Sequence, residues 1–171
     1  GGLIKTNSND LWLYMVNTYS GGTVVDQGSL VLARSGMQNP LGPGPITFNS
    51  GTILDPNACT FTNTITFNGA TVNNGNSYST HINGPVTLTG NTTIDLFTTG
   101  NMTIRGDISG LGGLIKQGAG PVLLLSGTNS YTGTNFVVAG TLQFNSTNSV
   151  GKASLSISGS GQVNLNYSGD H

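Results

Sequence analysis

The 171 residues predict an all-β chain wound into a parallel β-solenoid of about seven or eight rungs, roughly 35 Å long at the spacing of strands in a sheet. Three observations carry this. Gly (27), Asn (20), Thr (23) and Ser (17) fill about half of the chain, while only 6% is charged and Glu is absent, so residues that favour helix surfaces give way to those of turns and strands. The opening Gly1-Gly2-Leu3-Ile4-Lys5 returns letter for letter as Gly112-Gly113-Leu114-Ile115-Lys116, and self-similarity of this kind marks stacked repeats rather than a sandwich. Finally, short alternating segments are separated by Gly and Asn, the residues most at ease with the positive φ of a tight corner.

The elements follow in order. Thr60–Phe67, Ser154–Ser158 and Gln162–Tyr167 alternate apolar with Thr, Ser or Asn, as half-buried strands do. Turn signals stand between strands at Asn68-Gly69, Asn74-Gly75, Asn83-Gly84-Pro85, Gly90-Asn91, Gly100-Asn101 and Gly127. Inward positions are medium-sized Val, Ile, Leu and Phe, which suits stacking of like on like. The self-match continues from Asn17-Thr18-Tyr19-Ser20-Gly21 to Asn129-Ser130-Tyr131-Thr132-Gly133, and from Val25 to Leu30 onto Val137 to Leu142. Further on, Asn39-Pro40-Leu41-Gly42 with Ile46 and Phe48 matches Asn148-Ser149-Val150-Gly151 with Leu155 and Ile157. The chain therefore divides into one unit of about 110 residues, 1–111, and a partial second copy, 112–171, within a single solenoid segment. Asn7 and Asn9 stand where the second copy has Gly118 and Gly120, a swap expected to keep tolerance of positive φ.

These residues resemble the passenger-associated transport repeat, also called the autotransporter-associated β-strand repeat. The pattern Lys-x-Gly-x-Gly, Leu-x-Leu-Ser-Gly, Asn-x-Tyr-x-Gly, Val-x-x-Gly-x-Leu is matched by Lys116, Gly118, Gly120, Leu123, Leu125, Ser126, Gly127, Asn129, Tyr131, Gly133, Val137, Gly140 and Leu142. A more degenerate copy runs through Lys5, Leu11, Leu13, Asn17, Tyr19, Gly21, Val25, Gly28 and Leu30. Pro121 and one extra residue precede the Leu run in the second copy, and the first has Met15-Val16 in place of Ser-Gly. The resemblance implies a right-handed parallel β-helix in a large secreted or surface-anchored bacterial protein, where the repeat serves as stalk or secretion-promoting segment. It does not imply an enzyme.

Composition narrows function further. A formal charge of −1 offers no basic footprint for nucleic acid. No apolar run reaches the roughly 18 residues of a membrane helix, so this segment is not expected to insert; the first five residues do not read as a signal peptide, and a signal for export is expected outside the chain. Cys59 has no partner for an internal disulfide and is expected as a small buried residue.

Candidate chemistry is sparse. Tyr19 and Tyr131 recur at one repeat phase, which favours packing beside a small residue over sugar stacking. Lys5 and Lys116 are expected to cover apolar surface with their stems and solvate their amines, rather than act as nucleophiles. Asp95, Arg105 and Asp107 are the only near cluster of charge. Polysaccharide-processing β-helices need carboxylates held within several ångströms, so these three are the candidates for a carbohydrate-binding or lytic face, against the plainer reading of an Asp95–Arg105 surface ion pair. His81 and His171 have no triad or metal spacing around them, and no cofactor is expected. Thr60, Thr62, Thr64 and Thr66 would line one strand face, as β-propensity alone explains. Neither end of the chain carries an evident cap, so the segment is expected either to continue into further rungs or to stack end to end with other copies; matrix or host glycans are the other candidate partners. The expected role is a stiff, adhesin-like structural segment outside the cell.

Overall fold

Period-two alternation in short segments gives strands that bury one side only, and the Gly, Asn or Pro after every few residues turns the chain before a strand can lengthen. The outcome is a computed structural model that describes residues 1–75, 77–120 and 122–166. Pro121, Tyr167 and His171 lie outside the described residues. Three faces are formed. The first stacks β1 (Leu3–Lys5), β3 (Thr23–Val25), β5 (Ile46–Phe48), β8 (Ile65–Asn68), β11 (Val86–Gly90) and β14 (Ile108–Gly110) in that order. The second stacks β2 (Leu11–Leu13), β4 (Ser29–Leu32), β6 (Ile53–Asp55), β9 (Thr71–Asn74), β12 (Thr92–Leu96) and β15 (Leu114–Gln117). On the third lie β7 (Thr60–Phe61), β10 (Thr80–Ile82), β13 (Met102–Ile104) and β16 (Val122–Leu125).

Two long strands, β17 (Asn135–Phe144) and β18 (Leu155–Leu165), round the corner between the second and third faces. The first half of β17 pairs with β15, its second half with β16, and β18 lies along all of it. Every strand pairing among the described residues is parallel, and the chain is a β-solenoid of about eight turns with almost no helix. The 3₁₀ turn Thr147–Ser149 is held by a reciprocal cap between Ser146 and Ser149.

Parallel register turns inward positions into columns, and hydrophobic burial along these columns is the main favourable term. On the first face the column runs Lys5, Val25, Phe48, Phe67, Leu88, Gly110, with the Phe48 and Phe67 rings stacked at 5.6 Å between centroids. The second runs Leu11, Leu30, Leu54, Val72, Ile94, Lys116, Val137, Ile157. Phe61, Ile82, Ile104, Leu125, Phe144 and Leu165 form the third. Outside, Thr47, Thr66, Thr87 and Ser109 form a hydroxyl column on the first face.

One expected strand divides. The alternation over Thr60–Phe67 predicts a single strand, but β7 and β8 belong to different faces, with a corner between them, so Thr60 and Thr66 do not share a face. The alternation runs through the corner because Asn63 also points inward, where it is 4% exposed. Its Nδ2 donates to the carbonyls of Gly42 and Gly44 on the preceding turn, both at 2.7 Å. A polar side chain that pairs with backbone can fill an inward corner position as an apolar one fills a face.

The turn length also sets the phase of the sequence repeat. From β1 the first face recurs at β3, β5, β8, β11 and β14, five turns later, and β15 follows on the second face. Leu3-Ile4-Lys5 and Leu114-Ile115-Lys116 are thus the same residues on different faces. One repeat unit advances five turns and one face.

Candidate functional site

The most specific side-chain chemistry lies at the repeat motif. Lys116 occupies an inward position between Ile94 and Val137 and is fully buried. Its stem stays among apolar neighbours while Nζ bends into the corner and donates to the carbonyls of Gln117, of Gly118 at 2.9 Å and of Ala139 on the next turn at 3.2 Å. Lys5 repeats this: Nζ donates to Asn7 O at 2.6 Å, to Asn7 Oδ1 at 3.0 Å and to Gln27 O of the next turn at 2.8 Å. The expectation of solvated amines is corrected here. A corner leaves carbonyls pointing inward with no strand partner, and an ammonium with three donors satisfies them. Burial pushes the Lys116 amine down to about 8, while the charge of Asp95 pulls it back up.

The amine explains a glycine of the motif. Gly140 has φ of +69°, and a Cβ there would stand 2.6 Å from Lys116 Nζ and 2.7 Å from Gly118 O. Gly28 has φ of +71°, and its Cβ would meet Lys5 Nζ at 2.6 Å and Asn7 O at 2.7 Å. Lysine and glycine, 24 residues apart in one copy and 23 in the other, are two halves of one corner.

The remaining motif residues join turns. Asn129 accepts from Ile108 N at 3.0 Å on the turn below and donates to Ser149 O at 2.6 Å on the turn above. Asn17 donates to Pro40 O at 3.0 Å. Most corner Asn bond to backbone rather than to one another; the Asn166 to Asn145 contact at 3.4 Å is an inter-side-chain case. Tyr131 is buried, and its hydroxyl exchanges hydrogen bonds with the Asn135 amide at 2.9 and 3.1 Å. Tyr19 pairs with Thr23 Oγ1 at 2.6 Å. Gly21 and Gly133 lie against the backbone of Gly1 and of Gly112-Gly113, while Val25, Leu30, Val137 and Leu142 face the core. Asn7 does not share the positive φ of Gly118, so the tolerance expected of that swap is not used.

The charged candidates do not converge. Asp95 faces outward on β12, and its Oδ1 lies where a Gly118 Cβ would come within 2.6 Å. Arg105 donates to Asn83 Oδ1 at 3.1 Å rather than to Asp95, and Asp107 Oδ1 accepts from the Thr128 backbone at 2.8 Å. Arg105 and Asp107 share the corner between β13 and β14 but bind opposite turns, and Asp95 stands on a different face. Cys59 is buried, and desolvation pushes its thiol up to about 11, well away from a reactive thiolate. Partial burial, and then the nearby charge of Arg105, lower the His81 pKa below its ordinary value. Among the described residues no group of three His, Cys or Asp could hold a metal. Two surface grooves, one at Met15, Val16 and residues 34–38 and one at Phe97, Thr98, Thr99, Ala119 and Gly120, contain no carboxylate or imidazole.

Sequence reasoning missed the amine-carbonyl corner, Asn63 and the Tyr131–Asn135 pair. The first was legible in principle, because a Lys at an inward phase of a strand, repeated together with a Gly one turn later, is a buried cation with a fixed neighbour.

The comparisons agree with this geometry. The passenger-associated-transport-repeat family matches at residues 3–32 and 114–144, the two segments that build the lysine-glycine corners. Over 146 residues, 84% of this chain, the sequence is 31% identical to the Adhesin BmaC autotransporter of Brucella suis biovar 1 (strain 1330), of whose length it spans about 4%. No solved structure matches the chain. With both matched repeats folded into one parallel solenoid, five turns and one face apart, the chain carries two passenger-associated transport repeats.

Proposed function

We propose that this chain is a stiff, non-catalytic stalk or spacer in the passenger of a secreted or cell-surface bacterial autotransporter, holding other parts of that protein away from the membrane. The observation that carries the reading is the set of three inward columns that run from turn to turn, with mostly short and uncharged side chains outside. Such a body resists bending and proteolysis, because strands between its ends are hydrogen-bonded on both edges and few reactive groups face solvent. The similarity to an autotransporter adhesin supports the setting.

A whole-turn deletion tests the stalk. Removing residues 86–107 joins Pro85 to Ile108 and keeps every column in register. Surface display and activity of the full-length protein are expected to persist, with the projection shortened by about one inter-strand spacing of 4.8 Å. A glycan-processing or glycan-binding face makes the opposite prediction. If alanine replacement of Asp95, Arg105 and Asp107 abolished a glycan-array signal or lytic activity of the wild type, the structural reading would fall.

A further inference from the structure

We infer that Asn68 is a self-modification site: its amide closes onto the Gly69 nitrogen, loses ammonia and, with water as co-reactant, ends as aspartate or isoaspartate. The chain holds three Asn-Gly pairs, Asn68-Gly69, Asn74-Gly75 and Asn83-Gly84. In each, no side chain on the second residue hinders the approach of its nitrogen to the amide carbon, so sequence alone gives the three similar reactivity. The glycine nitrogen bonds to asparagine Cγ, the bond from Cγ to Nδ2 breaks, and the glycine proton leaves with that nitrogen as ammonia. Water then opens the five-membered imide: cleavage at Cγ gives aspartate, cleavage at the main-chain carbonyl gives isoaspartate. The amide must therefore meet water, the glycine nitrogen must be free to approach, and the backbone must have room to leave its extended geometry.

The fold denies these conditions to two pairs. Asn74 is fully buried, and its Nδ2 donates to Tyr78 O at 3.3 Å. Asn83 is exposed, but its Oδ1 accepts from Arg105 Nη1 at 3.1 Å, and the backbone nitrogens of Asn83 and Gly84 both donate to Phe61 O, at 2.7 and 3.3 Å. Gly84 is also pinched between turns, since a Cβ there would stand 2.1 Å from Asn63 O, while its own carbonyl oxygen lies 1.8 Å from where a Gly106 Cβ would be. Backbone packed this closely has little freedom to rotate.

Asn68 ends β8 with its side chain exposed, and no hydrogen bond among the described residues holds its amide. The ladder is irregular at this point, because the register between β8 and β11 shifts between Leu88 and Gly90, and Gly90 is the partner of Asn68. Gly69 O accepts from Gly51 N only at 3.5 Å. Gly69 has φ of +73°, and the nearest atom to a Cβ there is Ser50 Oγ at 3.5 Å, an ordinary contact, so the corner has room to turn. The product carries one more negative charge on an outward position, while Phe67 beside it stays in the core.

The full chain, either folded or unfolded in guanidinium chloride, is incubated at mildly alkaline pH. Peptide mass spectrometry then reads amide-to-acid conversion, and electron-transfer fragmentation separates isoaspartate from aspartate. In the folded protein, conversion at Asn68 is expected to be at least about tenfold faster than at Asn74 or Asn83, and in the unfolded chain the three rates are expected to converge. Asn68→Gln, which cannot close the five-membered ring, is expected to remove the fast phase of ammonia release from the folded protein. Equal rates at the three sites of the folded protein would overturn the inference. So would a preference for Asn68 that survives unfolding at full size, or a fast ammonia phase that persists in Asn68→Gln.

Discussion

At Gly140 a single missing methyl group separates a buried amine from its cage. Gly140→Ala sets a Cβ against Lys116 Nζ and forces a non-glycine residue to φ of +69°, a combination expected to cost about 1–3 kcal/mol in urea unfolding. In a Lys116→Met background the clash with Nζ is gone and only the backbone strain and carbonyl contacts remain, so the same substitution is expected to cost less; equal costs in both backgrounds would show that the amine is not the obstacle. The amine also predicts a pH dependence. With the folded amine near pH 8 and the unfolded one near its ordinary 10.5, the unfolded chain holds more protons between those values, so stability rises with pH across that window. Lys116→Met lacks this rise. Cys59 acts in the opposite sense as pH climbs from 9 toward 11, because its folded thiol holds the proton longer. The difference between wild type and Lys116→Met isolates the lysine.

Among the elements, the strands are short and the corners decide their register. Asn129 illustrates this, since its side chain serves Ile108 N and Ser149 O at once. Asn129→Ala leaves both buried groups unpaired and is expected to cost about 2–4 kcal/mol, at roughly 1–2 for each orphaned group. Asn63→Ala is expected to cost a similar amount, through the Gly42 and Gly44 carbonyls. Urea titration of the two variants checks both, and a loss under about 0.5 kcal/mol would mean that water replaces the amide without penalty. Much of this level was readable beforehand. Alternation gave Phe61, Ile65 and Phe67 as inward residues, and turn chemistry gave Asn68-Gly69, where Gly69 has φ of +73°. The division of Thr60–Phe67 was not readable, because an inward Asn at a corner keeps the same period as an inward Val on a face. Solvation of Lys5 and Lys116 was misread for a related reason: residue type points such side chains to water, while the unpaired carbonyls that override this exist only once turns are stacked.

For the whole molecule, each turn touches chiefly the turns directly above and below, so stability is close to a sum of neighbour terms. Amide exchange is therefore expected to be slowest through β8 to β15, which have turns on both sides, and faster at β1, β2 and β18; uniform protection along the chain would point to a single cooperative block instead. Fold class and repeat were legible because the parallel stacking that shapes the chain also imposes the self-similarity that reveals it. Function at this scale was legible only coarsely, since Asp95 stands on a different face from Arg105 and Asp107, these two bind the turns below and above, and the three leave no convergent chemistry to read.

The advance of five turns and one face per repeat has a consequence for the exterior. Two near-identical stretches present their outward side chains at different azimuths, as treads on a spiral stair face different walls. Ile4 and Ile115 hold the same place in the motif yet look out from different sides of the rod. At a constant advance on three faces, three repeats are needed before the same wall comes round again, after sixteen turns. Sequence periodicity in such a rod thus scatters like residues around the shaft instead of lining them up along one flank. A flat partner laid along its length meets a mixture of motif and spacer, and no single side is the repeat's own.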